Sequence, residues 1–256
     1  RGTESLVEAA KNGYTGLLST GYYIDLIQPT DFHYLVDPIP ANTVLTAGQQ
    51  KFIVGGEATM WTEHVTPETV DSRIWPRTAA IAERLWSPSS VTNVEDMYRR
   101  LDQASLWLEG LGSTHLKNKG MLMRRLANSY DTKALEVLVD VIEPLKIYER
   151  NAGDTMYTVF SPYTKIADVA TPDQKVAREF RKNVSIYCST KDKQLEKEII
   201  NQLQMWKANH TGFLELIKRS PVLTEAEGLS ENLEKIAIIG IRAIDYINKL
   251  CLVPAG

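Results

Sequence analysis

The sequence predicts an α/β region over residues 1–115, followed by an all-α region over residues 116–256. In the first region, short apolar runs at residues 14–20 and 51–56 alternate with helical patterns, which is typical of a parallel α/β structure. Beyond residue 116, apolar residues recur only at helical spacing, which indicates a helical bundle.

Local signals give the elements of the α/β region in order. Residues 4–11 are the end of a helix that Gly13 closes, and the two apolar runs are short buried strands separated by a loop rich in Pro and Asp. Pro76 suits the first turn of a helix over residues 78–86. Asn93 is a candidate N-cap for a further helix, and Gly112 is a plausible stop.

Three apolar stripes, each expected to pack in a core, predict the helices of the second region. The stripes are Leu135, Leu138, Ile142 and Leu145; Leu195, Ile199, Leu203, Trp206, Phe213 and Ile217; and Leu229, Leu233, Ile236, Ile244 and Ile247. An alternative is that Trp206 and Tyr246 mark the surface of an interaction or carbohydrate-binding module. Core packing is favoured because these residues share helical spacing with Leu and Ile.

Composition excludes several classes of protein. The 256 residues carry 29 Lys and Arg against 32 Asp and Glu, so no basic surface for nucleic acid is predicted. No stretch approaches the run of about 18 apolar residues that a membrane-spanning helix needs. Cys188 and Cys251 are too few for a zinc site, and whether they pair stays open. His33 and His64 lack metal-ligand spacing, so surface or supporting roles are favoured. No metal or cofactor is predicted.

Two aromatic–carboxylate clusters come directly after the predicted strands. Tyr22, Tyr23 and Asp25 follow the first strand, and Trp61 and Glu63 follow the second. The carboxyl ends of parallel strands meet at one edge of a sheet, where binding residues gather. A sugar stacks its C–H face on an aromatic ring and donates its hydroxyl hydrogens to a carboxylate, so the pattern suits sugar binding.

From the residues alone, two other interpretations stay open. The aromatic side chains could be half-buried packing, and Asp25 or Glu63 could be solvated or pair with Arg73 or Arg77. Glu57 is expected to be a buried structural partner for an arginine, because it precedes the mouth of the strand.

Four separated motifs carry a resemblance to a known family. They are STGYYID at residues 19–25, VGGEATMWTE at 54–63, RIWPR at 73–77 and AAIAERLWS at 79–87. In this order they resemble the end of the catalytic barrel of family 20 glycoside hydrolases, the β-N-acetylhexosaminidases, over about residues 1–115. The helical remainder resembles, more weakly, the C-terminal regions of bacterial members.

The resemblance implies a fold and a mechanism. Residues 1–115 would be the C-terminal segment of a (β/α)8 TIM barrel, about strands 7 and 8, and residues 116–256 an α-helical C-terminal domain. Tyr23 would bond the N-acetyl carbonyl of the substrate, Asp25 and Glu63 would bind hydroxyls of the terminal sugar, and Trp61 would line the aromatic pocket. Catalysis in the family is retaining and substrate-assisted, with the acetamido oxygen attacking the anomeric carbon.

Two departures from the family shape the expectation for this chain. Tyr22 stands where the family usually has Trp, and the His-x-Gly-Gly-Asp-Glu motif that supplies the general acid is absent. We therefore expect part of a longer hydrolase, inactive alone, whose partners are N-acetylhexosamine-terminated glycans and the rest of the barrel. Self-association to cover open strand edges is a further expectation, as is a periplasmic, outer-membrane-associated or secreted location in a bacterium. A sugar-binding barrel without hydrolysis, or a helical interaction module, stays the alternative.

Overall fold

A computed structural model describes residues 2–62, 65–149 and 164–250. The chain divides into two compact units, one formed by residues 1–119 and 144–156 and the other by residues 120–143 and 157–256. The assignment of residues 1–115 to a barrel and of residues 116–256 to a separate helical domain stays a prediction.

The first unit contains both described strands and most of the short helices. In chain order its elements are α1 (Thr3–Lys11), β1 (Gly16–Leu18), a 3₁₀ turn (Ile24–Leu26), α2 (Thr30–Leu35), α3 (Ala47–Gln50), β2 (Ile53–Gly56), α4 (Val70–Ile74), α5 (Arg77–Trp86), α6 (Val94–Gly110) and the start of α7 (His115–Ala127). The strands pair in parallel, with Gly16 opposite Ile53 and Leu18 opposite Gly56. The α/β prediction for this part of the chain is confirmed.

The ends of two helices follow the predicted local signals. Helix α1 ends at Lys11 and is followed by Asn12 and Gly13. The φ of Gly13 is +79°, in the left-handed region that favours glycine. Helix α6 begins after Asn93, whose side-chain oxygen accepts the backbone N–H of Asp96 at 3.0 Å. Both predictions are confirmed.

The sheet of the first unit is buried on one face. Leu18 and Ile53 lie in a core built from α1, the strands and α5, which also contains Leu6, Ala10, Tyr22, Ile24, Leu45 and Ile81. Side chains alternate across a strand, so Leu17 and Val54 point to the opposite face, where they are exposed. The expected self-association through this region stays a prediction.

The regular secondary structure in the described part of the second unit is all helical. It contains the end of α7, α8 (Lys133–Val139), α9 (Ile166–Val169), α10 (Lys175–Thr190), α11 (Lys193–Arg219), a 3₁₀ segment (Pro221–Ala226) and α12 (Glu227–Leu250). Helix α11 is the centre of the bundle, since α8, α10 and α12 all pack against it. Among the described residues, no helix is long and apolar enough to cross a membrane.

The stripe predicted on α11 is the best match between sequence and core. Ile199, Leu203, Trp206 and Phe213 are buried, and the ring centroid of Trp206 lies 4.5 Å from that of Phe180. Trp206 is therefore a core residue, and the alternative that placed it on a binding surface is wrong. The core packing favoured for Tyr246 is also wrong, because Tyr246 is 71% exposed.

The other two stripes are only partly correct. Leu135 and Leu138 are fully buried, but Leu145 is exposed because α8 ends at Val139. On α12, Leu233 and Ile244 are buried whereas Leu229 and Ile236 are exposed. The helix turns a neighbouring face inward, and Ser230, Leu233, Ala237 and Ile244 lie on that face.

Whether the two cysteines pair stays open. Cys188 is exposed on α10, and Cys251 lies outside the described residues.

Candidate functional site

The parallel pairing of the two strands continues past the ends of β1 and β2. The N–H of Thr59 donates to the carbonyl oxygen of Tyr22 at 3.1 Å, and the N–H of Ile24 donates to the carbonyl oxygen of Thr59 at 2.9 Å. Tyr23 and Thr59 thereby form an isolated parallel bridge. Because Trp61 follows Thr59 by two residues, the structure brings both predicted clusters to the same edge of the sheet.

The residues predicted to bind the sugar occupy different positions along this edge. Tyr23 is half-buried and immediately precedes the 3₁₀ turn, which contains the half-buried Asp25. The Trp61 side chain is 59% exposed, so its ring is available for stacking. Glu63 lies outside the described residues, and so its predicted role has no structural description. Assignment of these side chains to a sugar stays a prediction.

Tyr22 lies beneath the edge, in the core. Its side chain is fully buried, and its hydroxyl donates to the carbonyl oxygen of Val36 at 2.9 Å. Burial, reinforced by the negative charge of Asp37, raises the pKa of Tyr22 to about 12. Tyr22 therefore stays a neutral hydrogen-bond donor, and its role is to pack under the site.

His33 supports the loop that leads to Tyr22. It is fully buried, so the surface role expected for it is wrong, and the supporting role stays a prediction. Its Nδ1 lies 2.6 Å from the carbonyl oxygen of Gly21, and burial lowers the pKa of His33 to about 4. A carbonyl only accepts, so the neutral ring donates through Nδ1–H.

Gly21 has φ +90°, and a Cβ there would lie 2.7 Å from the Val36 side chain. His64, the other histidine considered, lies outside the described residues.

Glu57 is not the buried partner of an arginine that the sequence suggested. It directly follows β2, is exposed, and accepts a hydrogen bond from the Ser19 hydroxyl at 2.5 Å. The prediction is wrong because the chain leaves the core at the end of β2 and turns this side chain towards solvent. The contact instead links the two segments that leave the strands.

Sequence reasoning named Arg73 and Arg77 only as possible partners of a carboxylate and missed how deeply the arginines near the site are buried. Arg73, Arg77 and Arg84 are each at most 4% exposed. Arg77 donates to three backbone carbonyl oxygens, from Nη1 to Gln28 at 2.7 Å and from Nη2 to Ile24 at 3.0 Å and to Arg73 at 2.5 Å. A signal was present, since Arg77 and Arg84 share the i, i+3, i+4, i+7 stripe of α5 with the buried residues Ala80 and Ile81.

Comparison with known proteins gives the family. Residues 4–89 match the model of the catalytic domain of glycosyl hydrolase family 20. An X-ray structure of a Flavobacterium johnsoniae chitobiase is 44% identical and superposes with a TM-score of 0.88, covering 95% of this chain and 37% of that one. Residues 4–89 belong to the catalytic domain of glycosyl hydrolase family 20.

Curated relatives match part of the chain. The β-hexosaminidase subunit beta of Rattus norvegicus is 38% identical over 97 residues, and that of Homo sapiens is 37% identical over 101 residues. Each alignment covers 38% of this chain and 18% of the relative. The chain thus spans less than a fifth of these relatives and 37% of the chitobiase.

The family 20 match contains the site built above. Tyr23, Asp25, Trp61 and Arg77 all lie within residues 4–89, so they belong to the segment that the catalytic-domain model describes. The chitobiase match covers nearly the whole chain and so extends into the helical unit. The chain is therefore similar to a solved relative in both of its units.

Other features of the chain lie away from that edge. Two clefts, of about 460 and 440 Å³, flank α11 in the helical unit, one beside α8 and the other beside α10. Within residues 2–62, 65–149 and 164–250, no three His, Cys, Asp or Glu side chains are grouped so as to hold a metal ion.

Proposed function

We propose that this chain is part of a β-N-acetylhexosaminidase that hydrolyses terminal, non-reducing N-acetylglucosamine or N-acetylgalactosamine residues with retention. Residues 1–115 supply about strands 7 and 8 of its (β/α)8 barrel. The observation that carries the proposal is the Tyr23–Thr59 bridge, because it brings two family 20 motifs to one sheet edge. Carboxyl ends of barrel strands are where active sites form in this architecture.

Each side chain at this edge recognises a different part of one terminal sugar. The Tyr23 hydroxyl donates to the acetamide carbonyl oxygen of the substrate. Asp25 and Glu63 accept from sugar hydroxyls, and the Trp61 ring stacks against the apolar face of the sugar. Catalysis is substrate-assisted, so the acetamide oxygen attacks the anomeric carbon and forms an oxazolinium intermediate. Fixing that oxygen close to the carbon converts an entropically costly encounter into an intramolecular step.

The chain contains the residues that bind the sugar but lacks the motif that supplies the general acid. The Gly55–Gly56 pair is the only Gly-Gly in the sequence, and its Glu57 is followed by Ala58, so no His-x-Gly-Gly-Asp-Glu motif is present. We infer that the general acid and the remaining strands belong to the rest of a longer enzyme. That remainder packs against the exposed face of the sheet, where Leu17 and Val54 are 49% and 60% exposed.

Binding of N-acetylglucosamine to the 256-residue chain tests the proposal independently of turnover. Isothermal titration or NMR titration should detect binding of N-acetylglucosamine and weaker binding of glucose, which lacks the acetamide. Trp61→Ala should raise the Kd about tenfold, because loss of one stacked aromatic ring removes about 1–1.5 kcal/mol. Trp86→Ala is the matched control, since Trp86 is 92% exposed at the end of α5.

No detectable binding of N-acetylglucosamine would contradict the proposed function, and so would either of two further results. One is equal affinity for glucose and N-acetylglucosamine, which would show that the acetamide is not recognised. The other is an equal effect of Trp61→Ala and Trp86→Ala, which would show that the sheet edge is not the binding surface.

A further inference from the structure

We infer that Arg77 is a positioning residue for the proposed sugar site, acting by holding the backbone of the turn that carries Tyr23 and Asp25. The effect on sugar binding rests on the proposed function, whereas the hydrogen bonds between Arg77 and the turn do not. Arg77 begins α5 and is 2% exposed, so its guanidinium lies inside the first unit and not at the sugar-binding edge.

The guanidinium brackets the turn from both ends. Its Nη2 donates to the carbonyl oxygen of Ile24 at 3.0 Å, between Tyr23 and Asp25, and its Nη1 donates to that of Gln28 at 2.7 Å. The planar guanidinium presents these donors in a fixed fork, so the two carbonyls are held in a defined relative position. The direction of the intervening backbone is fixed with them.

Between the two carbonyls lies a strained residue. Ile27 adopts φ +60° and ψ +30°, a left-handed conformation that is a rare outlier for a β-branched side chain. Its N–H donates to the same Ile24 carbonyl at 3.1 Å, and its side chain is 2% exposed. A strained conformation persists where its surroundings over-determine it, and Arg77 supplies that constraint.

The other end of Arg77 is anchored in a rigid element. Its helix packs through Ala80 and Ile81, each 1% exposed, and Nη2 also donates to the carbonyl oxygen of Arg73 at 2.5 Å. Arg77 therefore ties the turn to the packed helix. Without this tie, Tyr23 and Asp25 would sit on a turn free to relax away from the left-handed geometry.

The same helix carries a matched control. Arg84 lies seven residues further along α5, is 4% exposed, and donates to the carbonyl oxygens of Pro88 at 3.0 Å and Val91 at 2.9 Å. It holds the loop after the helix in the way that Arg77 holds the turn before it. Substituting either arginine removes a buried guanidinium with similar partners, but only Arg77 contacts the turn of the site.

The experiment combines hydrogen exchange and N-acetylglucosamine titration on the 256-residue chain and its Arg77→Lys and Arg84→Lys variants. Arg77→Lys should speed exchange at the Ile24 and Ile27 amides at least tenfold and raise the Kd for N-acetylglucosamine at least tenfold. Arg84→Lys should leave both unchanged and speed exchange at the amides of residues 89–91 instead. Arg77→Gln and Arg84→Gln repeat the comparison without a buried charge.

Several results would contradict a positioning role for Arg77. Unchanged exchange at Ile24 and Ile27 in the Arg77 variants would overturn it, as would faster exchange with unchanged affinity. If both Arg77 variants unfold while both Arg84 variants fold, Arg77 is a residue of the fold and not of the site. If the unsubstituted chain binds no N-acetylglucosamine, it is the proposed function that fails, and exchange still reports whether Arg77 holds the turn.

Discussion

Gly56 at the end of β2 should not tolerate even a methyl group. An alanine Cβ at this position would lie 2.5 and 2.8 Å from two ring carbons of Tyr22 and 3.0 Å from the carbonyl oxygen of Leu18. Tyr22 has little room to move, because it is fully buried and its hydroxyl is bonded to the carbonyl oxygen of Val36. Gly56→Ala is therefore expected to force the strand and the ring apart.

The magnitude follows from two opposing terms. Overpacking a buried site costs about 1–3 kcal/mol, whereas replacing glycine by alanine recovers about 0.4–1 kcal/mol by restricting the unfolded chain. Gly56 has no left-handed φ, so backbone strain adds nothing. The free energy of unfolding should fall by about 1–2 kcal/mol. Urea unfolding followed by tryptophan fluorescence suits the measurement, because four of the five tryptophans lie within residues 61–107.

Two further variants test the cause of the loss. Gly110 ends α6, and no atom lies within 4 Å of the point that an alanine Cβ would occupy there, so Gly110→Ala should be neutral or slightly stabilising. Tyr22→Leu removes the ring, so Gly56→Ala should cost about 1 kcal/mol less in that background. Equal costs of Gly56→Ala with and without the Tyr22 ring would refute the clash as the cause.

Two remaining predictions concern catalysis and pH. The 256-residue chain should release no chromophore from a chromogenic N-acetylglucosaminide above the rate of its Glu63→Ala variant, because its sequence lacks the His-x-Gly-Gly-Asp-Glu motif to which we assign the general acid. Turnover above that variant would contradict the inferred inactivity. The lowered pKa of His33, about 4 against an ordinary 6.5, means that the unfolded chain binds more protons between these values. Stability should therefore fall as pH drops through this window, by about 2 kcal/mol at pH 5 relative to pH 7. His33→Gln should lack this component in urea titrations at the two pH values, and an equal loss in both proteins would assign it to other groups such as His115, whose pKa burial also lowers.

The features that sequence predicted well depend on neighbours along the chain. The cap of Asn93 on the N–H of Asp96 spans three residues, and the glycine after α1 acts where the helix ends. The paired strands were predicted from short apolar runs, and the carboxyl-edge rule then placed Tyr23 near Trp61. In each case the physics is local, or follows from a rule of topology.

The features that sequence missed depend on distant partners or on competing faces. Two of the three carbonyls that Arg77 contacts lie 49 and 53 residues away, and no periodic pattern encodes backbone acceptors. On α12, two adjacent apolar stripes compete, and the buried one includes Ser230, which a hydrophobic pattern discounts. Glu57 was misjudged because the path of the chain after β2 decides its exposure.

The Arg77 contacts have a consequence for how this site can change over time. Every amino acid except proline presents the same N–H and C=O on its main chain, and all present the carbonyl that an arginine recognises. The two contacts of Arg77 with the turn therefore place no demand on the identity of the side chains at positions 24 and 28. Mutation at position 28 can exchange the side chain while the hydrogen bond to its carbonyl oxygen persists, so the surface chemistry of the turn and the path of its backbone are free to evolve separately.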